Sequence, residues 1–255
     1  MNIIGIIPAR MGSSRFPGKP LARICGLSML EHVYQRSTMA KSLAGIFVAT
    51  CDEEIKRAVE SFGGKVYMTS AAHERASDRV AEAMMQIEEN RRQKMDMVVM
   101  IQGDEPMVFP EMIDQAVDAL RRDPGVMVAN LMAALPTPVE NDHNEIKVTV
   151  DKEGFALYFS RSPIPSSVKA DHPVRMYKQV CIIPFRRDFL LKFNQWEQTP
   201  LEMAESIDML RVLENGHRVK MVLSNFETYS VDVPEDLQKV EGLLVGDPVF
   251  RIYKK

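Results

Sequence analysis

Short apolar runs alternate along the first half of the chain with segments in which apolar residues recur at helical spacing. The runs predict buried strands at residues 3–7, 46–49, 66–68 and 97–101. The segments between and after them predict amphipathic helices at residues 29–39, 53–62, 77–89 and 110–120. Strands that are apolar on both faces need cover on both sides. The alternation therefore predicts an α/β fold with a mostly parallel sheet and helices on both faces.

The second half of the chain is less regular. Strands are predicted at 146–150 and 156–159, and the turn Asp151-Lys152-Glu153-Gly154 between them predicts a hairpin. A proline-containing loop follows, then a strand at 180–185 and helices at 187–194, 201–214 and 234–244. The predicted organisation is one domain over residues 1–255, with a hairpin-bearing insertion at 146–185 that forms an arm or lid.

Composition and charge argue against several classes of protein. Hydrophobic residues make up 45% and charged residues 26%, which is typical of a globular protein. The 32 Lys and Arg against 35 Asp and Glu give a net charge of −3, so no basic excess suggests nucleic-acid binding. Three scattered cysteines are too few for a disulfide framework. No apolar run approaches the ~20 residues of a membrane span, and no cationic leader precedes the first strand. These features predict a soluble cytoplasmic enzyme.

The segment Pro8 to Pro20 follows the first predicted strand, at the sheet edge where open α/β folds bind ligands. Residues 1–30 carry four basic side chains, Arg10, Arg15, Lys19 and Arg23, and no acidic one. Together with Gly12 and Gly18 they suit a triphosphate. The segment is not a P-loop, because five residues separate Gly12 from Gly18 and Pro20 stands where a P-loop has Ser or Thr. A basic surface turn is the alternative interpretation.

Two further segments place carboxylates at predicted strand ends. Asp104 lies in Gln102-Gly103-Asp104-Glu105-Pro106, directly after strand 97–101, and Asp232 is predicted to close a strand before the last long helix. Each could alone be a turn or helix-cap residue. Together they could converge on a hard cation such as Mg²⁺ beside the basic loop.

The histidines show no ligand spacing and are interpreted as surface or core residues; they are His32, His73, His143, His172 and His217.

These motifs resemble those of the 3-deoxy-manno-octulosonate cytidylyltransferases, or CMP-Kdo synthetases. The matching segments are 8–10 with 13–21, 102–106 and 231–237. Shorter landmarks agree at 68–70, 77–79, 156–161 and 200–202. The resemblance runs through nearly the whole chain in the same order, and the landmarks are specific as a set.

The resemblance implies a Rossmann-like nucleotidyltransferase, active as a homodimer, that serves surface polysaccharide synthesis. It would couple CTP to a 3-deoxy-2-ulosonic acid and release pyrophosphate. Arg10, Arg15 and Lys19 would be catalytic and hold the triphosphate, while Asp104 and Asp232 would hold Mg²⁺. The nucleotide-binding residues implied by the resemblance are Ala9, Ser13, Ser77, Arg79 and Gln102. The insertion at 146–185 would supply sugar-side and dimer contacts.

The departures from the family pattern concentrate in its sugar pocket. Where the family strand carries His and then Gly-Ile-Tyr, this chain aligns Gln179, Cys181 and Ile183, which are predicted to share one face of a strand. The family's Glu-Gln pair on a facing helix aligns with Asp208 and Met209. The changes indicate either another sugar, such as an 8-amino-Kdo or a nine-carbon sialic-type acid, or drift with Kdo retained. A non-catalytic nucleotide-binding relic is the alternative outside the enzymes.

Overall fold

A computed structural model describes residues 1–12, 16–135 and 142–254 of the chain. The chain up to the fourth helix forms β1 (Ile3–Pro8), β2 (Arg23–Ile24), β3 (Leu27–Ser28), α1 (Met29–Ser37), β4 (Ile46–Thr50), α2 (Glu53–Ser61), β5 (Val66–Met68), α3 (Ala76–Arg91), β6 (Met97–Ile101) and α4 (Pro110–Arg122). The rest forms β7 (Ala129–Ala134), β8 (Lys147–Val150), β9 (Ala156–Ser160), β10 (Tyr177–Val180), β11 (Ile182–Arg186), α5 (Arg187–Gln195), α6 (Pro200–Glu205), α7 (Met209–Glu214), β12 (Lys220–Ser224), α8 (Asp236–Leu244) and α9 (Phe250–Tyr253). The chain divides into two compact units, one of Met1–Asp114 with Thr228–Lys255 and one of Gln115–Glu227.

A parallel sheet forms the centre of the first unit. Its strands lie in the order β6, β1, β4 and β5, and every neighbouring pair is parallel. All the residues of β4 and β6 are buried, as expected for strands covered on both faces. Because the strands are parallel, their carboxyl ends meet at one edge, and the loops that follow β1, β5 and β6 lie along that edge. This confirms the fold class predicted from the sequence.

The C-terminal segment returns to complete this unit. Val240, Leu244 and Phe250 pack with Ile24 and Met29 in one buried cluster. A buried ion pair joins Arg36 of α1 to Asp247, with 2.7 Å between Nη2 and Oδ1. This places residues 228–254 with the first strands and helices, although more than a hundred residues separate them in sequence.

The second unit contains a mixed sheet in the order β12, β7, β10, β8 and β9. The β8–β9 hairpin predicted from the sequence is present, and β12 is parallel to β7 whereas β10 is antiparallel to it. The predicted insertion at 146–185 is therefore part of a larger unit. Two strands of this sheet, β7 and β12, were not predicted from the sequence.

Two element predictions for this unit are wrong. The strand predicted at 180–185 is two strands, β10 and β11, interrupted at Cys181. The helix predicted at 201–214 is two helices, because Ser206 adopts a left-handed backbone with φ of 54° after α6. In the described part of the chain, no helix is long and apolar enough to cross a membrane.

Candidate active site

A hydrogen bond between two backbone groups closes the loop after β1. Gly18, whose φ of 72° favours glycine, donates its N–H to the carbonyl of Met11 at 3.2 Å. Arg10 is exposed at the start of this loop, and Ala9 is buried behind it. The predicted site residues Ser13 and Arg15 lie outside the described residues. The loop ends in a single 3-10 turn, Lys19–Leu21, which directs Lys19 toward the neighbouring strand end.

Lys19 lies between the two carboxylates that the sequence singled out. Its Nζ is 2.9 Å from Oδ2 of Asp104 and 3.8 Å from Oδ1 of Asp232. The same nitrogen donates to the carbonyl of Val231 at 2.7 Å. One cationic atom thus reaches both carboxylates, so the structure brings together three of the predicted site residues from three distant parts of the sequence.

Asp232 reaches this position by a different route from the predicted one. No strand forms over residues 229–233; instead the Val231 N–H donates to the carbonyl of Asp104 at 2.9 Å, which fixes the segment beside the end of β6. Nor is Asp232 the N-cap of the following helix, because that residue is Glu235; Asp236 accepts the backbone N–H groups of Asp232 and Val233 at 2.8 and 3.0 Å. The predicted strand end is wrong, and so is the alternative role of Asp232 as a helix cap.

The surroundings of Asp104 oppose the ionisation of its carboxyl group. Burial raises the pKa of the Asp104 carboxyl, and the charge of Asp232 raises it further, while Lys19 acts in the opposite direction. A divalent cation placed here would favour the ionised form of Asp104. Among the described residues, no group of three or more Asp, Glu, His or Cys side chains could hold a metal. Two carboxylates completed by phosphate oxygens and water are, however, the donor set of hard divalent cations on nucleotides.

A cleft of about 340 Å³ opens beside these groups in the first unit. Its walls come from the β1 loop, the end of β6 and the start of α3; the lining residues include Ala9, Arg10, Lys19, Arg79, Gln102 and Asp104. Of the other predicted nucleotide residues, Ser77 is fully buried. Arg79 is also buried and donates to Oγ1 of Thr69 at 2.6 Å, so it shapes the wall through protein contacts.

The cleft also contains residues for which the sequence predicted no role in the site. His73 lines it, and its Nε2 lies 2.5 Å from Oε2 of Glu82 on α3. Glu82 also accepts the N–H of Ser70 at 2.9 Å, and together these contacts lower the pKa of its carboxyl although burial opposes them. Arg75 lines the cleft as well. The spacing of residues in the sequence did not indicate a role for His73 or Arg75, because the loop between β5 and α3 brings both to the cleft.

The four predicted sugar-binding residues lie in the second unit. Gln179 on β10 donates Nε2 to Oδ1 of Asn130 at 2.5 Å, and Asp208 is half-buried before α7. Ile183 and Met209 are 1% and 0% exposed, so neither offers surface to a ligand in this structure. The prediction that Gln179, Cys181 and Ile183 share one strand face is wrong, because the strand is interrupted at Cys181.

Comparisons with known proteins agree with this geometry. The family model described as cytidylyltransferase matches residues 4–221. The 3-deoxy-manno-octulosonate cytidylyltransferase of Geotalea uraniireducens is 44% identical, over 94% of this chain and 98% of that protein. The 8-amino-3,8-dideoxy-manno-octulosonate cytidylyltransferase of Shewanella amazonensis is 43% identical, over 97% of this chain and 100% of that one.

Solved structures extend the likeness to the fold. A CMP:2-keto-3-deoxy-manno-octonic acid synthetase complexed with CTP matches with a TM-score of 0.88 and 38% identity, over 96% of this chain and 99% of that chain. A cytidylyltransferase from Leptospira borgpetersenii, at 16% identity and a TM-score of 0.62, shares the fold. With a family match over most of its length and relatives above 40% identity, the chain belongs to the cytidylyltransferase family of nucleotidyltransferases.

Proposed function

We propose that this protein transfers CMP from CTP to the anomeric hydroxyl of a 3-deoxy-2-ulosonic acid, either Kdo or a modified Kdo, in the cytoplasm. The observation that carries the proposal is the convergence of Lys19, Asp104 and Asp232 beside a cleft in the first unit. The named relatives at 43–44% identity support this substrate class. A nucleotide-binding relic would have no use for two carboxylates facing one cation.

In the proposed reaction the sugar hydroxyl oxygen forms a bond to the α-phosphorus of CTP. The bond from that phosphorus to the bridging oxygen breaks, pyrophosphate leaves, and the hydroxyl proton passes to solvent. Chemistry of this kind depends on positioning and charge stabilisation. Arg10, Arg15 and Lys19 are proposed to hold the triphosphate and to offset the charge that develops on the leaving group. Gln102 lines the same cleft and is proposed to contact the nucleotide with Ala9, Ser13 and Arg79, whereas Ser77 is fully buried and offers the nucleotide no surface.

Asp104 and Asp232 are the residues proposed to hold Mg²⁺. The ion would polarise the α-phosphate and lower the pKa of the attacking hydroxyl when bound. Lys19 already neutralises part of the negative charge at this position, where its Nζ lies 2.9 Å from Asp104. The chain's own contribution is to hold both carboxylates near Lys19, beside the cleft.

Substitution of Lys19 tests the assignment of the basic loop. Lys19→Ala is expected to lose about 2–4 kcal/mol of transition-state stabilisation, the scale for one preorganised charge, measured as kcat/KM for CTP. Lys41→Ala removes an exposed lysine from the same unit and serves as the control. Equal activity in the two variants would mean that the loop is the basic surface turn that the sequence also allowed.

The choice of sugar acid is a separate question. Gln179 carries a neutral amide where the family has His, and Asp208 a carboxylate shorter than glutamate, and we propose that these changes favour a sugar acid with a cationic substituent such as an amine. We therefore expect kcat/KM to be higher for 8-amino-Kdo than for Kdo or a nine-carbon acid. The double variant Gln179→His/Asp208→Glu is expected to shift the preference toward Kdo. It avoids Ile183→Tyr, which would overpack a buried position. If the wild type uses plain Kdo at least as well as every modified acid, the substitutions are drift.

A homodimer is also part of the proposal. Leu157, Leu201 and Met203 of the second unit are exposed large apolar side chains, with Leu157 at 62% and Met203 at 61%. Exposed apolar side chains favour a protein interface where they form one patch. Light scattering that reports a monomer at working concentration would contradict this part of the proposal.

A further inference from the structure

We propose that Arg75 is a further nucleotide-binding residue, which donates a hydrogen bond from Nη1 to a neutral oxygen of the nucleoside part of CTP. This inference rests on the proposed function only in taking CTP as the ligand of the cleft. Arg75 belongs to the loop between β5 and α3 and lines the cleft of the first unit.

The guanidinium of Arg75 is held in one orientation by a single partner. Its Nε donates to Oδ2 of Asp78 at 2.8 Å, and its Nη2 donates to Oδ1 of the same carboxylate at 3.1 Å. A two-point contact of this kind fixes the plane of the guanidinium group. The third nitrogen, Nη1, is consequently directed away from Asp78.

Nη1 is the nitrogen for which the structure offers no acceptor. It is shielded from solvent and has no hydrogen-bond partner among the described residues. A guanidinium nitrogen has only hydrogens to offer, so an oxygen acceptor is what it requires. A shielded donor without an acceptor destabilises the unliganded protein, and a ligand that supplies one recovers that free energy. The neighbours Glu74 and Ala76 also line the cleft and are exposed, so an entering ligand can reach this wall without disturbing the core.

The local charge favours a neutral acceptor over a phosphate. Asp78 neutralises Arg75, and Glu74 adds a second carboxylate to the same wall. The charges suited to a triphosphate, Arg10 and Lys19, lie instead in the β1 loop. A phosphate beside Arg75 would face two carboxylates, whereas a pyrimidine carbonyl or a ribose hydroxyl would not be repelled.

The order of the strands separates the start of the loop that carries Arg75 from Asp104. The loop that carries Arg75 follows β5, and Asp104 follows β6, which lies three positions away in the same parallel sheet. With neighbouring strands ~4.8 Å apart, the two strand ends are separated by ~14 Å. A nucleotide whose phosphates lie at Asp104 therefore extends its nucleoside toward Arg75.

Binding of CTP, measured by calorimetry without any sugar acid, tests the proposal. Arg75→Ala is expected to weaken CTP binding by about 10- to 100-fold, the range for one hydrogen bond from a charged donor. Arg75→Lys is expected to lose a similar factor, because one ammonium cannot hold Asp78 and an acceptor in the same geometry. Arg57→Ala, which removes an exposed arginine from α2, is the matched control. Melting temperatures establish that each variant is folded.

Inhibition by inorganic tripolyphosphate separates the nucleoside from the phosphates. The proposal predicts that its inhibition constant is the same in wild type and Arg75→Ala, and that kcat at saturating CTP changes little while KM for CTP rises. Unchanged CTP binding in both Arg75 variants would overturn the proposal. A loss of tripolyphosphate inhibition as large as the loss of CTP binding would overturn it too, because the acceptor would then be a phosphate. If the wild type binds CTP but converts no ulosonic acid, the proposed function fails while the role of Arg75 still stands or falls on these results.

Discussion

Asp104 is held in surroundings that oppose its own ionisation. Burial raises the pKa of its carboxyl, the nearby Asp232 adds to the effect, and Lys19 acts in the opposite direction. A folded-state pKa above the unfolded value means that ionised Asp104 lowers the free energy of unfolding at pH values above the unfolded pKa, ~3.9. Ionised Asp104 thus destabilises the fold, and its proposed role as a ligand of Mg²⁺ explains why a carboxylate occupies this position.

Asp104→Asn should therefore separate activity from stability. We expect turnover to be abolished, and added Mg²⁺ to restore little of it. In the metal-free protein at pH 7, the free energy of unfolding should stay the same or rise, because Lys19 keeps the Val231 carbonyl and Asp232 as partners. Denaturant titrations and pyrophosphate release measure the two effects. Glu60→Gln, at an exposed position on α2, is the control. Full activity in Asp104→Asn would remove Asp104 from the site.

At the scale of elements, hydrophobic periodicity predicted the strands and helices whose formation depends on local sequence. The bounds of β5 and β6 match the prediction, and Asp104 follows β6 as expected, because each strand is a continuous apolar run. The break in the helix predicted at 201–214 comes at Ser206, whose left-handed backbone brings Arg211 of α7 to a buried ion pair with Glu202 of α6, a tertiary contact that periodicity does not show. His73 and Arg75 were missed for the same kind of reason, because their partners Glu82 and Asp78 become visible only when α3 is placed.

The pair between Arg211 and Glu202 yields a stability prediction. Both side chains are buried, and the Arg211 guanidinium lies 4.4 Å from the ring centroid of Phe193. Glu202→Gln should leave the arginine charge buried without its counter-charge and lower the free energy of unfolding by about 3–5 kcal/mol. Exposed Glu197→Gln should change it by less than ~0.5 kcal/mol. Chemical denaturation measures both variants, and similar midpoints would contradict the structural role of the pair.

At the scale of the whole molecule, the first unit is built from the two ends of the chain. His32 and Arg36 on α1 both contact the hydroxyl of Tyr253 on α9, at 2.8 and 3.0 Å, beside the pair with Asp247. Asp232 lies in the same returning segment. The position of one of the two proposed metal ligands thus depends on how the C-terminal segment docks, which no local pattern in the sequence indicates.

Protonation of His32 should loosen this docking. Burial is the main cause that lowers the pKa of His32, and the charge of Arg36 lowers it further. The folded protein therefore binds this proton less tightly than the unfolded chain, whose histidine pKa is ~6.5. The stability contribution is complete above that value and is lost as the pH falls below it. Unfolding free energies at pH 7.5 and 5.5 should differ less in His32→Gln than in wild type or in exposed His172→Gln. An identical pH dependence in all three would contradict this account.

The most direct test of the proposed activity is pyrophosphate release from CTP in the presence of Mg²⁺ and a panel of ulosonic acids that includes Kdo and 8-amino-Kdo. The account predicts release that requires both CTP and a sugar acid, falls sharply when UTP or ATP replaces CTP, and is absent from Asp104→Asn. No release with any ulosonic acid, or equal release in Asp104→Asn, would contradict it.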